Sequence, residues 1–165
     1  QGIDRAATLS THLRSGLAAT AAAVATITAS AMLLPAAAAA VPKSPPRPVV
    51  GVPGGPHRLA ARGSYCWEGP GGGLCADTID PMLYAPKLRL SPGRDAIVRM
   101  GYRVSGVGAS GDGSPLEMEP LGDRGRKFLL HVPDIPRGQE LEVYIVASYD
   151  RGDGQFAIRI SSRNR

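Results

Sequence analysis

From residue 62 onward apolar side chains recur at every second position, the period of a strand with one buried face. Val98, Met100, Tyr102 and Val104 alternate with Ile97, Arg99, Gly101 and Arg103. Leu116 and Met118 alternate with Glu117 and Glu119, and Phe128, Leu130 and Val132 share a face. Leu141, Val143, Ile145, Ala147 and Tyr149 continue the pattern, followed by Phe156, Ile158 and Ile160. Together with residues 64–68 and Lys87–Leu90, the runs make about seven strands, separated by the turn signals SPGRD, GASGDG, GDRGR, PDIPRG and DRGDG. No amphipathic helix lies between them. The pattern predicts an all-β domain over 62–162, an antiparallel β-sandwich of immunoglobulin-like type, with a small β-barrel as the alternative.

Two segments of different character precede it. Arg5, His12 and Arg14 open the chain, no charge then appears before Lys43, and residues 17–34 are apolar or small. Pro35 and an alanine run to Ala40 follow, so residues 1–40 have the parts of a secretory signal peptide, with Ala38 and Ala40 before a cut ahead of Val41. An uncleaved N-terminal helix, making the domain a membrane-anchored surface module, is the alternative and the one expected route to a membrane. Residues 41–61 carry proline at 42, 45, 46, 48, 53 and 56, which predicts a semi-rigid polyproline linker.

Charge changes meaning once the segments are separated. The whole chain has 19 Lys plus Arg against 14 Asp plus Glu, but residues 63–165 hold 13 of each. A neutral domain without a recognition motif is not expected to bind nucleic acid. The expected partner is a protein or a cell-wall glycan.

Cys66 and Cys75 are the only cysteines, and an even pair in an exported chain predicts a disulfide, here closing a loop centred on residues 69–73. In the chain-entropy account such a closure contributes about 2.5 to 3 kcal/mol. Two cysteines with no nearby histidine make a poor zinc site. Trp67, the only tryptophan, should face opposite to Cys66, either into the core or, if exposed beside the glycine-rich loop, as a binding anchor. The run GSYCWEGPGGGLCADT, followed by PKLRLSPG and EVYIVASYDRGDGQFAIRI, resembles small secreted bacterial β-sandwich proteins that share a SYCW…LC start. The resemblance spans 63–161; it implies a secreted sandwich and brings no activity with it.

Candidate chemistry is sparse. His12 and His57 fall in the signal and linker segments, which leaves His131, expected to face outward, and no serine stands in a nucleophile-elbow motif. Glu117 with Glu119, and Glu140 with Glu142, share strand faces at a spacing that permits glycoside hydrolysis, or simply form a solvated face opposite Arg99, Arg103 or Arg159. The run Asp150-Arg151-Gly152-Asp153-Gly154 reads as a hairpin turn; weak cation binding and an adhesive Arg-Gly-Asp tip are its sharper readings. Residues 106–113 lack the lysine and helix of a phosphate loop and read as a connection. No catalytic residue, metal or cofactor is expected. The whole points to an exported, extracytoplasmic, non-enzymatic binding module at the cell envelope, with Trp67, Pro70, Asp150, Arg151 and Asp153 as its candidate surface. A secreted protease inhibitor presenting the same loops is the alternative.

Overall fold

The computed structural model describes residues 42–163, so the expected signal peptide lies outside the described residues. The chain is an all-β sandwich of two sheets. In order the strands are β1 (Val49–Gly51), β2 (His57–Leu59), β3 (Ala61–Gly69), β4 (Gly72–Ala76), β5 (Lys87–Leu90) and β6 (Ala96–Arg99). Then follow β7 (Gly106–Gly111), β8 (Ser114–Leu116), β9 (Met118–Pro120), β10 (Lys127–Leu130), β11 (Glu140–Tyr149) and β12 (Gly152–Ser162). One sheet runs β2-β1-β6-β10-β9; the other runs β4-β3-β12-β11-β7-β8. β5 adds to the second sheet beside β12 and is its parallel member, registering Arg159 against Lys87.

The alternation read from the sequence is the packing of the core. Leu141, Val143, Ile145, Ala147 and Tyr149 of β11 point inward, meeting Val50, Ala96, Val98, Phe128 and Leu130 of the opposite sheet. Phe156, Ile158 and Ile160 of β12 are fully buried at the centre. Each such side chain contributes about 1.5 to 3 kcal/mol by leaving water. The outer face of β12 is covered as well. Ala157 packs with Ala61, Met82 and Ala85, because the 3-10 turn Pro81–Tyr84, capped by the Asp80 carboxylate, lies across it.

Three expectations change. The proline-rich stretch 41–61 is not a free spacer over its described length. Pro45 and Pro48 are fully buried, Val50 is buried in β1, and β1 pairs with β6. Proline density dictates an extended backbone without N–H donors, and says nothing of burial; here the carbonyls do the anchoring. Trp67 Nε1 donates to the Pro42 carbonyl at 3.0 Å, Ala60 N–H to Pro48 at 2.9 Å, and Arg47 clasps the carbonyls of Leu59 and Ala60.

Residues 106–111, expected as a connection, form β7, paired to β11 along Val143–Ser148. Glycine suits the site because a Cβ on Gly111 would meet Leu141 Cδ1 at 2.9 Å. The hairpin to β8 turns on Asp112 and Gly113, both at positive φ (46° and 81°), as a tight Asp-Gly turn requires. The strand expected through Val104 ends at Arg99, and the one expected through Leu116 and Met118 divides, β8 in one sheet and β9 in the other. That division and four strands outside the expected runs, β1, β2, β4 and β7, take the strands from about seven to twelve.

Candidate functional site

The β11–β12 turn, the end of β6 and the start of β10 lie at one end of the sandwich, and between them opens a cleft of about 350 Å³. Its inner wall is aromatic. Trp67 and Tyr149 meet edge to face at 5.3 Å between ring centres, and the Tyr102 ring lies tilted to the indole at 6.4 Å. Its rim is charged, formed by Arg103, Arg126, Arg151 and Asp150, with Pro42 completing the lining.

Local sequence explains each position. After Arg99 the chain leaves the sheet at Gly101, where a Cβ would sit 2.6 Å from Pro46, so only glycine lets the proline segment pack there. Met100 N–H then donates to Arg126 at 2.7 Å and Val104 N–H to Gly125 at 2.9 Å, which holds residues 100–104 against the 121–126 turn. Tyr102 and Arg103 are thereby lifted to the surface between two buried neighbours, Met100 and Val104.

The sequence-derived candidates separate on inspection. Trp67 is only 3% exposed and its N–H is engaged, so it belongs to the core and is not an exposed anchor; Cys66, next to it, faces outward. Asp150 and Arg151 line the cleft, whereas Pro70 and Asp153 do not. Pro70 and Gly71 form a two-residue turn at the tip of the β3–β4 hairpin, and the disulfide joins Cys66 and Cys75 directly across that hairpin. The expected glycine-rich loop is therefore mostly strand, with only Pro70 and Gly71 in the turn. Gly152 and Asp153 belong to β12, opposite Trp67 and Cys66, and Glu68 N–H donates to the Arg151 carbonyl at 2.8 Å. The Gly and Asp of Arg-Gly-Asp are thus held in the sheet, and Arg151 stands in the two-residue turn before it. Among the described residues no cluster of three His, Cys, Asp or Glu is placed to hold a metal ion.

The carboxylate pairs stand elsewhere. Glu140 forms an ion pair with Lys87, Glu142 lies opposite Arg159, and none of the four glutamates lines the cleft. His131 is half-exposed between Asp95, at 3.2 Å from Nδ1, and Glu119, at 3.7 Å from Nε2. Among the described residues no helix is long and apolar enough to cross a membrane.

Sequence reasoning missed Pro42 and Tyr149, read as linker and core, and it missed Tyr102, Arg103 and Arg126. The one visible signal of the last three was arginine density in the turns after β6 and before β10, and a turn rich in charge reads first as solvated.

No family model, curated protein or solved structure matches the chain.

Tyr149 is 7% exposed and its hydroxyl has no hydrogen-bond partner. Burial pushes its pKa up to about 12. Between about pH 10, where an unfolded tyrosine ionises, and pH 12 the unfolded chain releases a proton that the folded one keeps. Stability is therefore full below pH 10 and falls through that window, by about 2 kcal/mol from this residue. Urea unfolding followed from pH 9 to 12 should show that slope reduced in Tyr149→Phe; an identical slope in both proteins would refute the assignment.

Proposed function

We propose that this chain is an exported, non-enzymatic binding module that engages a ligand of the cell envelope at the cleft beside the β11–β12 turn. One observation carries the reading. Five separate segments converge there, around residues 42, 67, 102–103, 126 and 149–151, on a concave surface with an aromatic wall and a polar rim. Concave sites of mixed apolar and polar lining are where proteins take ligands, and loops at one end of a rigid sandwich are where such folds place them.

The disulfide is compatible with an oxidising, extracytoplasmic setting, as is the signal-like composition of residues 1–40. A catalytic role gains no support from His131, whose ring nitrogens face two carboxylates rather than a hydroxyl or thiol. The protease-inhibitor reading loses its presenting loop, since the residues between the cysteines form a tight hairpin.

Cosedimentation with isolated envelopes of the producing organism tests the reading. The expected result is saturable binding that Tyr102→Ala weakens at unchanged melting temperature, because Tyr102 is partly exposed and contributes little to the core. Absence of cosedimentation, or equal retention of the variant, would sink it.

A further inference from the structure

Residues 63–165 are neutral in sum but not in layout. A second, more open cleft of about 450 Å³ adjoins the first and shares Arg126 with it. Across the two stand Arg99, Arg103, Arg124, Arg126, Lys127 and Arg151, against the carboxylates of Asp123 and Asp150 alone. None of the six cations forms an ion pair among the described residues. The register makes the crowding sharper. Arg99 of β6 lies directly opposite Lys127 of β10, and like charges facing each other across an antiparallel pair oppose folding. A sheet that keeps such a pair beside a cleft has its cations where a ligand, rather than the protein, supplies the counter-charge. The partnerless hydroxyl of Tyr149, more than nine-tenths buried in the wall of the same groove, is a second polar group left over there.

We infer that this double cleft binds an acidic polysaccharide, a chain of sugar acids whose carboxylates pair with the arginines. The inference rests on the binding role proposed above and specifies its ligand. Two joined clefts fit a polymer with repeated charge better than one small anion. Guanidinium forks match carboxylates in bidentate geometry. The exposed face of Tyr102, backed by the Trp67 ring, offers the apolar surface on which the C–H face of a sugar ring lies. An acidic peptide fits less well, because extended peptides pair with free strand edges, and the groove lies at strand ends and presents side chains. A nucleic-acid strand is read by successive stacking platforms, and this groove offers one exposed ring.

The test is titration of the full-length mature protein with polygalacturonate oligomers, followed by tryptophan fluorescence and calorimetry. Binding is expected to saturate, to weaken about tenfold when NaCl is raised from about 50 to about 300 mM, and to weaken about tenfold in Arg126→Gln. Tyr149→Phe should raise the melting temperature, since it deletes a buried hydroxyl with no partner, while lowering affinity; a merely structural tyrosine would not separate the two. Arg137→Ala, in the loop between β10 and β11 and outside both clefts, should bind as the parent does. Uncharged dextran should not bind. No binding of polygalacturonate would overturn the inference, as would equal affinity for polyglutamate or a DNA oligonucleotide. If Tyr102-dependent retention on envelopes survives that failure, the binding role stands and only the ligand class falls; if both fail, both fall.

Discussion

Replacing Gly152 with alanine is expected to remove about 3 to 5 kcal/mol of folding stability, enough to leave much of the protein unfolded at 37 °C. Two effects act together at this residue. Its φ of 133° is a conformation that side-chain-bearing residues rarely adopt. A Cβ would also fall inside the carbonyl oxygen of Cys66, with the Trp67 Cα only 3.1 Å away. Relief would require β12 to move off β3 where Gly152 registers against Trp67, disturbing the indole that anchors Pro42 and the aromatic wall of the cleft. Gly108→Ala is the matched control: its φ is unremarkable and a Cβ there meets nothing within 4 Å, so its stability should lie within about 0.5 kcal/mol of the parent. Urea unfolding of the oxidised proteins measures both. Equal midpoints for the two variants would mean that β12 does not approach β3 so closely.

Gly152 also illustrates where sequence reading works and where it runs out. The strands with long, clean alternation were legible: Lys87–Leu90 forms a strand with those bounds, and the run from Leu141 to Tyr149 lies in β11. A hairpin around residue 150 was legible too, but the demand for glycine at 152 comes from a carbonyl on β3, 86 positions earlier in the chain. Residues 106–111 escaped notice because glycine lacks the side chain that makes period two visible, although the Asp112-Gly113 signal beside them was readable.

The candidate site was legible in part. Asp150 and Arg151 were picked from a turn, and Trp67 from being the only tryptophan, yet its burial could not be read locally. The cationic groove was hidden by arithmetic. A count of 13 against 13 charges from residue 63 onward averages over a surface on which Arg99 and Lys127 come face to face through strand pairing alone. Glutamates were the imagined neighbours of Arg99; its actual cross-strand neighbours are Lys127 and Val49.

A shortened chain beginning at residue 63 is expected not to fold, whereas one beginning at Pro42 should melt like the longer protein. The proline-rich stretch contributes four fully buried residues, Pro45, Pro48, Val50 and Ala60, with Ala61 nearly so. Fully burying an aliphatic side chain of valine size is worth about 1.5 to 3 kcal/mol and a methyl group about 0.8 kcal/mol, so Pro45, Pro48 and Val50 with Ala60 reach a substantial fraction of the roughly 5 to 15 kcal/mol that holds a typical domain together. The backbone effect adds to it. β1 is the strand between β2 and β6, so its removal leaves the β1-facing backbone groups of Ile97–Arg99 without hydrogen-bond partners, β10 holding only the other side, and turns β6 into a bare edge over an apolar core. Trp67 would lose the Pro42 carbonyl as well, and a buried indole N–H without an acceptor costs about 1 to 3 kcal/mol. Near-ultraviolet circular dichroism and tryptophan emission should report the loss directly, with Trp67 shifting to the red in the shorter chain and staying buried in the longer one. A cooperative transition at the parent temperature in the shorter chain would return residues 42–62 to the role of a spacer. The cleft would suffer with the fold, because Pro42 is one of its walls and Pro46 holds the turn at Gly101 from which Tyr102 and Arg103 emerge. The segment that most resembles a tether by composition is therefore the one on which both the five-stranded sheet and the candidate site depend.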